Sequence, residues 1–304
     1  MESAGAGLKR LLPELVVSKQ KLRQAEGSCM VRMKRDEGRQ NVGFSSRPFV
    51  LCGLPVRQPA AGEMLYERRN GDFVLQITGH ANYGLPFGQD RIVPIYLATL
   101  AVRQQSQTIR FRTAAEMLGT FGMHKGGKEY RRLVAAFERI FGATIFFGTD
   151  TLRGTARVVQ RSRFSFLSEA QIWYSRDPEQ YPVSDQLENV IVLSDEFYRE
   201  IVAHPIPVDM EAVKVLASAP AVLDLFMWLS YRCFIAKGRE TIPLSGSRGL
   251  ASQIGSIEYA RPRKFREKLD GVAGIDSCPL AGVSGENQPR RDRVRSRSSN
   301  CSAR

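Results

Sequence analysis

Apolar and polar positions fall into a few patterns along the chain, and each pattern predicts an element. Alternation marks MLYERRNGDFVLQITG, where two runs flank Asn70 and Gly71. Asn-Gly between alternating runs is a strong short-range hairpin signal. In RIVPIYLATLAVRQQSQ the residues Ile92, Ile95, Tyr96, Thr99 and Val102 recur three or four apart. That spacing predicts a helix with one buried face, and Pro94 is tolerated in its first turn. TIRF from Thr108 reads as a short strand. Thr113 then caps a helix, with Glu116 three residues on completing a capping box, and Gly119 and Gly122 break it.

The next helix, KEYRRLVAAFERIFG, separates into two sides at about 100° per residue. Tyr130, Leu133, Val134, Phe137, Ile140 and Phe141 gather on one, and Lys128, Arg131, Arg132, Ala135 and Arg139 on the other. The basic side is expected to face away from the core. ATIFFGTDTLRGTARVVQRSRFSF follows as a hairpin carrying Arg153, Arg157, Arg161 and Arg163, with no acid after Asp150. Its phenylalanines Phe146, Phe147, Phe164 and Phe166 are expected in the core, as are Trp173 and Trp228. Helix, strand, helix, turn, basic helix and basic hairpin form the order of a winged-helix domain, a helix-turn-helix variant.

The rhythm recurs. TIRFRTAAEMLGTFG from Thr108 returns as TIPLSGSRGLASQIG from Thr241, which signals a duplicated unit. VIVLSDEFYREI predicts a strand and a helix capped by Ser194, with Asp195 and Glu196 at its positive end. PAVLDLFMWLSYRCFIAKG is a long core helix, and RPRKFREKL a second basic helix opened by Pro262. Around its Phe265 and Leu269 stand Arg261, Arg263, Lys264, Arg266 and Lys268. From Asp270 the periodicity stops in a Gly, Ser, Pro and Arg-rich stretch. The expected class is therefore α+β, two tandem winged-helix domains with flexible basic termini. Residues 1–47 form a flexible basic arm, 48–180 the first domain, 181–272 a second that lacks the hairpin of the first, and 273–304 a disordered basic tail. A frameshifted or degenerate C-terminus would explain the abrupt change.

Charge sharpens this picture. The 304 residues carry a net charge of +13, and its distribution matters more than its sum. Across 103–163 twelve Lys and Arg stand against four Asp and Glu, whereas across 164–230 three stand against eleven. A polyanion such as duplex DNA is attracted to the first block and repelled by the second. Lys125, in the turn before the basic helix, joins Lys128, Arg131, Arg132, Ala135 and Arg139 as a candidate DNA contact, with the hairpin arginines and the second basic helix.

Other chemistries find little support. No apolar run reaches the length of a membrane span and no secretory signal stands at the start, so a cytoplasmic protein is expected. Five scattered cysteines without a CxxC pair indicate neither a disulfide framework nor a zinc site. Gly122–Glu129, GMHKGGKE, fits GxxxxGK, but Glu129 stands where Ser or Thr would hold magnesium. His80, His124 and His204 are isolated, without the pair that a strand-nicking enzyme needs for its metal. The expectation is a protein that is not an enzyme and takes no cofactor. Lipid binding would need an apolar helix face that the core claims, and no exposed aromatic RNA motif is visible.

At NYGLPFGQDRIVPIYLATLAVRQQSQTIRF and again at SAPAVLDLFMWLSYR, the sequence resembles the plasmid-encoded RepA family of replication initiators, over about residues 65–269. The resemblance implies tandem winged-helix domains, recognition of repeats at a plasmid origin in double-stranded DNA, and opening of the adjacent duplex. It also implies recruitment of host replication proteins, among them the replicative helicase. Two alternatives stay open: a transcriptional repressor of similar fold, and a first domain used mainly to form a homodimer.

Overall fold

The structure is a computed structural model that describes residues 33–34, 36–38, 41–124, 126–153, 156–172, 188–236, 241–244, 249–250, 253, 263, 283–288 and 291–296. In chain order the elements are β1 (Val42–Ser45), α1 (Arg47–Leu51), β2 (Leu65–Asn70), β3 (Phe73–Thr78), a 3-10 turn (Gly88–Arg91), α2 (Ile92–Gln104), β4 (Thr108–Phe111), α3 (Ala114–Thr120), α4 (Gly127–Gly142), β5 (Thr144–Arg153), β6 (Ala156–Ser165), β7 (Leu167–Gln171), β8 (Asn189–Leu193), α5 (Asp195–Ala203), β9 (Ile206–Asp209), α6 (Met210–Leu216), α7 (Pro220–Ile235), β10 (Thr241–Pro243), β11 (Val283–Gln288) and β12 (Arg291–Ser296).

Helix α2 is the axis of the core. Its buried residues run unbroken from Ile92 to Thr99, so it is enclosed on every side and not on the single face that spacing alone predicts. Helices that are apolar all round are buried all round. Thr99 makes this position permissible for a hydroxyl, donating to Ile95 O at 2.7 Å and accepting from Phe44 N at 2.9 Å. The second bond ties β1 to the axis. Gly43 lies so close that a Cβ there would run into the Met210 sulfur.

The Asn70–Gly71 hairpin forms with its turn moved by one residue. Asn70 pairs with Phe73, so Gly71 and Asp72 are the turn, and Gly71 takes a φ of 59° as the first residue of a II′-type turn does. Asn70 is held in the strand because its amide donates to Leu51 O at 2.6 Å in a buried setting. Buried polar groups must find a partner, and this one outweighs the local turn preference.

Strands assemble into antiparallel sheets of order β2-β3-β5-β6, β4-β8-β7, β1-β9 and β10-β12-β11. Several of these pairings depart from expectation. Residues 42–45, at the end of the expected flexible arm, pair with β9. β4 pairs with β8, across the expected boundary at 180, and not with the hairpin β5–β6 that follows its helix pair. β8, NVIVL, is a continuous apolar run after Asn189, with Ile191 and Leu193 fully buried. Such a run announces burial without naming the neighbour that buries it. In the expected tail, β11 and β12 form a hairpin whose second strand pairs with β10. A hairpin thus forms where composition argues against one: backbone pairing needs no apolar periodicity, only available donors and acceptors.

Phe166 joins two of the sheets. It is the single residue between β6 and β7, fully buried, and its carbonyl accepts from Ser194 N at 3.2 Å. Its ring stacks on Phe49 at 5.0 Å and meets Phe197 edge-on at 5.2 Å, while Phe164 stacks on Phe197 at 5.8 Å. Each buried phenylalanine contributes about 1.5–3 kcal/mol of apolar burial. Ser194 caps α5 as expected, accepting from Phe197 N. Trp228 is buried as expected; Trp173 lies outside the described residues.

Candidate nucleic-acid interface

Helices α3 and α4 and the turn between them build the first part of the site. Thr113 caps α3 by accepting from Glu116 N, and Glu116 reaches back to Arg112 N, one residue earlier than a closed capping box. The helix runs through Gly119 and ends at Gly122 in the left-handed region, φ 61°. Gly122 N donates to Gly119 O at 3.0 Å and Met123 N to Leu118 O at 2.9 Å, the two bonds of a Schellman ending. Lys214 of α6 lies across this turn, so close that a Cβ on Gly122 would collide with its side chain.

The inner side of α4 is Leu133, Ala136, Phe137 and Ile140. Phe137 stacks on Phe111 at 6.4 Å, which fixes the helix against β4. Phe141, expected on this side, is 44% exposed, at the edge of the apolar arc beside the half-buried Tyr130 and Val134. Lys128, Arg131 and Arg132 face outward and are exposed, with Ala135 half-buried among them. Arg132 bonds Glu129 at 2.9 Å, an i,i+3 surface pair with the arginine 57% exposed. Pairs of that kind are weak and exchange readily for another anion.

Arg139 is not part of this outward set. Its side chain is 17% exposed and forks onto Asp90, Nε to Oδ2 at 2.6 Å and Nη2 to Oδ1 at 2.9 Å, with the guanidinium over the Phe87 ring at 4.7 Å. A bidentate carboxylate and an aromatic face together outbid solvent for a guanidinium. Helical spacing does set Arg139 beside Lys128, but the 3-10 turn covers that part of the surface. A cleft of about 450 Å³ runs along this flank, between Arg132 and Ala136 of α4 and Gln58, Phe87 and Pro220.

The hairpin β5–β6 supplies the second part. Arg157, Arg161 and Arg163 share one side of β6 by strand alternation, and all are exposed. Rows across the sheet read Glu67, Gln76, Phe146, Arg163 and then Arg69, Val74, Gly148, Arg161. Arg163 lies over the Phe146 ring at 5.8 Å, whereas Phe147, Phe164 and Phe166 are buried as expected. Asp150 accepts from Arg157 Nε at 2.7 Å and from Arg69 at 3.4 Å. The Arg157 hydrogen bond, helped by its charge and by Arg69, pulls the Asp150 carboxyl down to about 2. Arg157 is thus partly neutralised, and Arg161 and Arg163 carry more of the outward field. Arg69 is an addition that the sequence reading misses. Its parity with Leu65 and Glu67 in the alternating run is the signal that places it on this face.

Lys125, Arg261, Lys264, Arg266 and Lys268 lie outside the described residues, as does the side chain of Arg153; Arg263 is helical and exposed. Glu129, the misfit of the GxxxxGK stretch, bonds Arg132 in the first turn of α4. His80 stacks on Tyr83 at 4.8 Å and accepts from Asn82 N, and His204 ends α5. Among the described residues no three His, Cys, Asp or Glu side chains are placed to hold a metal, and no helix is long and apolar enough to cross a membrane.

Comparison with known proteins identifies a family and a similar fold. The family model described as Replication initiator protein A matches residues 53–211. In fold, the chain is similar to the crystal structure of selenomethionine-substituted domains 2 and 3 of RctB, at a TM-score of 0.53 and 15% identity, covering 82% of this chain and 98% of that one. A second crystal structure of RctB domains 2–3 gives a TM-score of 0.51 at 14% identity, covering 82% and 95%. At such identities the likeness is one of fold. No curated protein matches.

Proposed function

Because this chain belongs to the Replication initiator protein A family, we propose that it is a non-enzymatic, sequence-specific DNA-binding initiator acting in the cytoplasm on a plasmid origin. It binds repeats there, helps open the adjacent duplex and recruits host replication proteins, the replicative helicase among them. Helices α3 and α4 act as a helix-turn-helix with the hairpin β5–β6 as its wing. Lys128, Arg131 and Arg132 approach the major groove, where bidentate contacts to base edges are each worth about 1–3 kcal/mol of discrimination. Arg161 and Arg163 hold the phosphate backbone, which supplies affinity without sequence information.

One observation carries this reading. α4 buries Leu133, Phe137 and Ile140 in the core and leaves Lys128, Arg131 and Arg132 exposed, so the basic side is free to dock. The test is a gel-shift titration of repeats cloned from DNA flanking the gene against scrambled duplexes of equal length. A specificity ratio of about a thousandfold or more is expected, and equal affinity for both overturns the reading. Permanganate footprinting of a supercoiled origin separates an initiator, which leaves reactive unpaired thymines, from a repressor of the same fold, which leaves none.

A further inference from the structure

A second cleft, of about 190 Å³, is formed by residues 50–60, Glu63, Tyr66, Arg68, Leu85 and Asp224. Two guanidinium groups and one carboxylate meet beneath it. Arg91 takes the carboxylate whole: Nε donates to Asp224 Oδ1 at 2.8 Å and Nη2 to Oδ2 at 2.9 Å, with Leu54 O and Gly88 O completing its fork. The loop closes on this pair at Gly53, in the left-handed region at φ 67°, where a Cβ would come to 2.7 Å from Asp224 Oδ2.

Arg68 is left over. Its Nε and Nη2 are buried and have no hydrogen-bond partner, and its neighbours of opposite polarity are already engaged. Tyr66 also lines the cleft but is neutral, and Glu63 accepts from Ala60 N at 3.1 Å. At this cleft the guanidinium groups of Arg57, Arg68 and Arg91 stand against the carboxylates of Glu63 and Asp224, an excess of one positive charge. Arg68 is a half-buried guanidinium with two enclosed donors unmet, and such donors call for a water, an ion or a ligand.

We propose that this cleft is a binding site for a carboxylate on a short aliphatic stem, with Arg68 as its anchor. Size and lining favour that chemistry. The volume equals about six water molecules at ~30 Å³ each, room for a group of a few heavy atoms. Leu54, Pro55, Val56, Pro59 and Leu85 line the cleft with Arg68 and suit methylene groups, while Arg57, Gln58 and Tyr66 add polar groups to the same lining, so the phosphate arm of the test below decides between the two anions. The carboxylate would come from a free small acid or from an acidic side chain of a partner protein. The site is independent of the DNA-binding reading, since neither α4 nor the outward face of the hairpin contributes to it.

The test uses the full chain, with thermal unfolding and the Arg68 side-chain Nε–Hε NMR signal as readouts. Sodium butyrate, sodium phosphate and a capped Ala-Glu-Ala peptide are titrated at ionic strength matched with sodium chloride. Butyrate is expected to shift the Arg68 signal and to raise Tm by about 5 °C at a hundredfold excess over its dissociation constant. Arg68→Met should abolish the Tm rise and, having removed an unpaired charge, should not lower the starting Tm. If that variant does not fold, the wild-type NMR titration decides alone. Response to butyrate without the peptide supports a free acid as ligand, and response to the peptide supports an acidic side chain. The proposal is overturned if no carboxylate moves Arg68 beyond the chloride control, if phosphate alone does, or if Arg68→Met responds as the wild type does.

Discussion

Arg139 of the basic helix is bonded to Asp90, forty-nine positions earlier in the chain, by both ends of its guanidinium fork at 2.6 and 2.9 Å. With Asp90 at 6% side-chain exposure, the pair is a structural clamp between α4 and the 3-10 turn. Removing one partner leaves the other buried and unpaired. Asp90→Ala is therefore expected to destabilise the protein by about 3 kcal/mol, read as a lower urea midpoint with little change in slope.

Lys128 and Arg131 make a contrasting prediction, because they are exposed and support nothing beneath them. Arg131→Ala should leave the urea midpoint unchanged within about 0.5 kcal/mol. In a salt titration of duplex binding, each of Lys128→Ala and Arg131→Ala should reduce the slope of log affinity against log salt by about 1 for every phosphate that the variant no longer neutralises. An unchanged slope in both would remove the outward side of α4 from the interface.

Asp150 sets a pH window for the hairpin. Its folded value of about 2 lies below the ordinary 3.8, so the unfolded chain binds the proton more readily. The stabilisation is fully present above about pH 4 and is lost as the pH falls through 2. Carboxyl-detected NMR should place the Asp150 midpoint near 2, and Arg157→Gln should move it upward toward the ordinary range. Above pH 5 the hairpin pair should be insensitive to pH.

Cys52 is buried, and burial pushes its thiol up to about 12 against a smaller lowering by Arg68. The thiolate is the reactive form, so this cysteine should resist iodoacetamide at pH 8 in the native protein and react promptly in 6 M guanidinium. Peptide mapping by mass spectrometry reads the difference directly.

Local chemistry is legible wherever neighbours in sequence decide the outcome. The Thr113 and Ser194 caps, the β2–β3 hairpin, the amphipathic α4 and the paired arms of β5 and β6 all follow from spacings of two to four residues. The repeat at Thr108 and Thr241 marks two short strands, each placed after a long apolar helix. What escapes such a reading is decided at long range. Nothing in NVIVL says that it pairs with TIRF rather than with a strand of its own unit, and nothing in ERIFG says that an aspartate from a distant turn will capture Arg139. Likewise Asn70 leaves its turn for a carbonyl nineteen residues away. Polar side chains choose partners that periodicity does not register, and those choices decide which cations remain on the surface.

Phe166 is the packing point where the hairpin arm meets the rest of the fold. With Phe164 stacked on Phe197 of α5 and Phe166 meeting the same ring edge-on, the base of the arginine-bearing arm is anchored to α5, and any reorientation of that arm has to repack these rings.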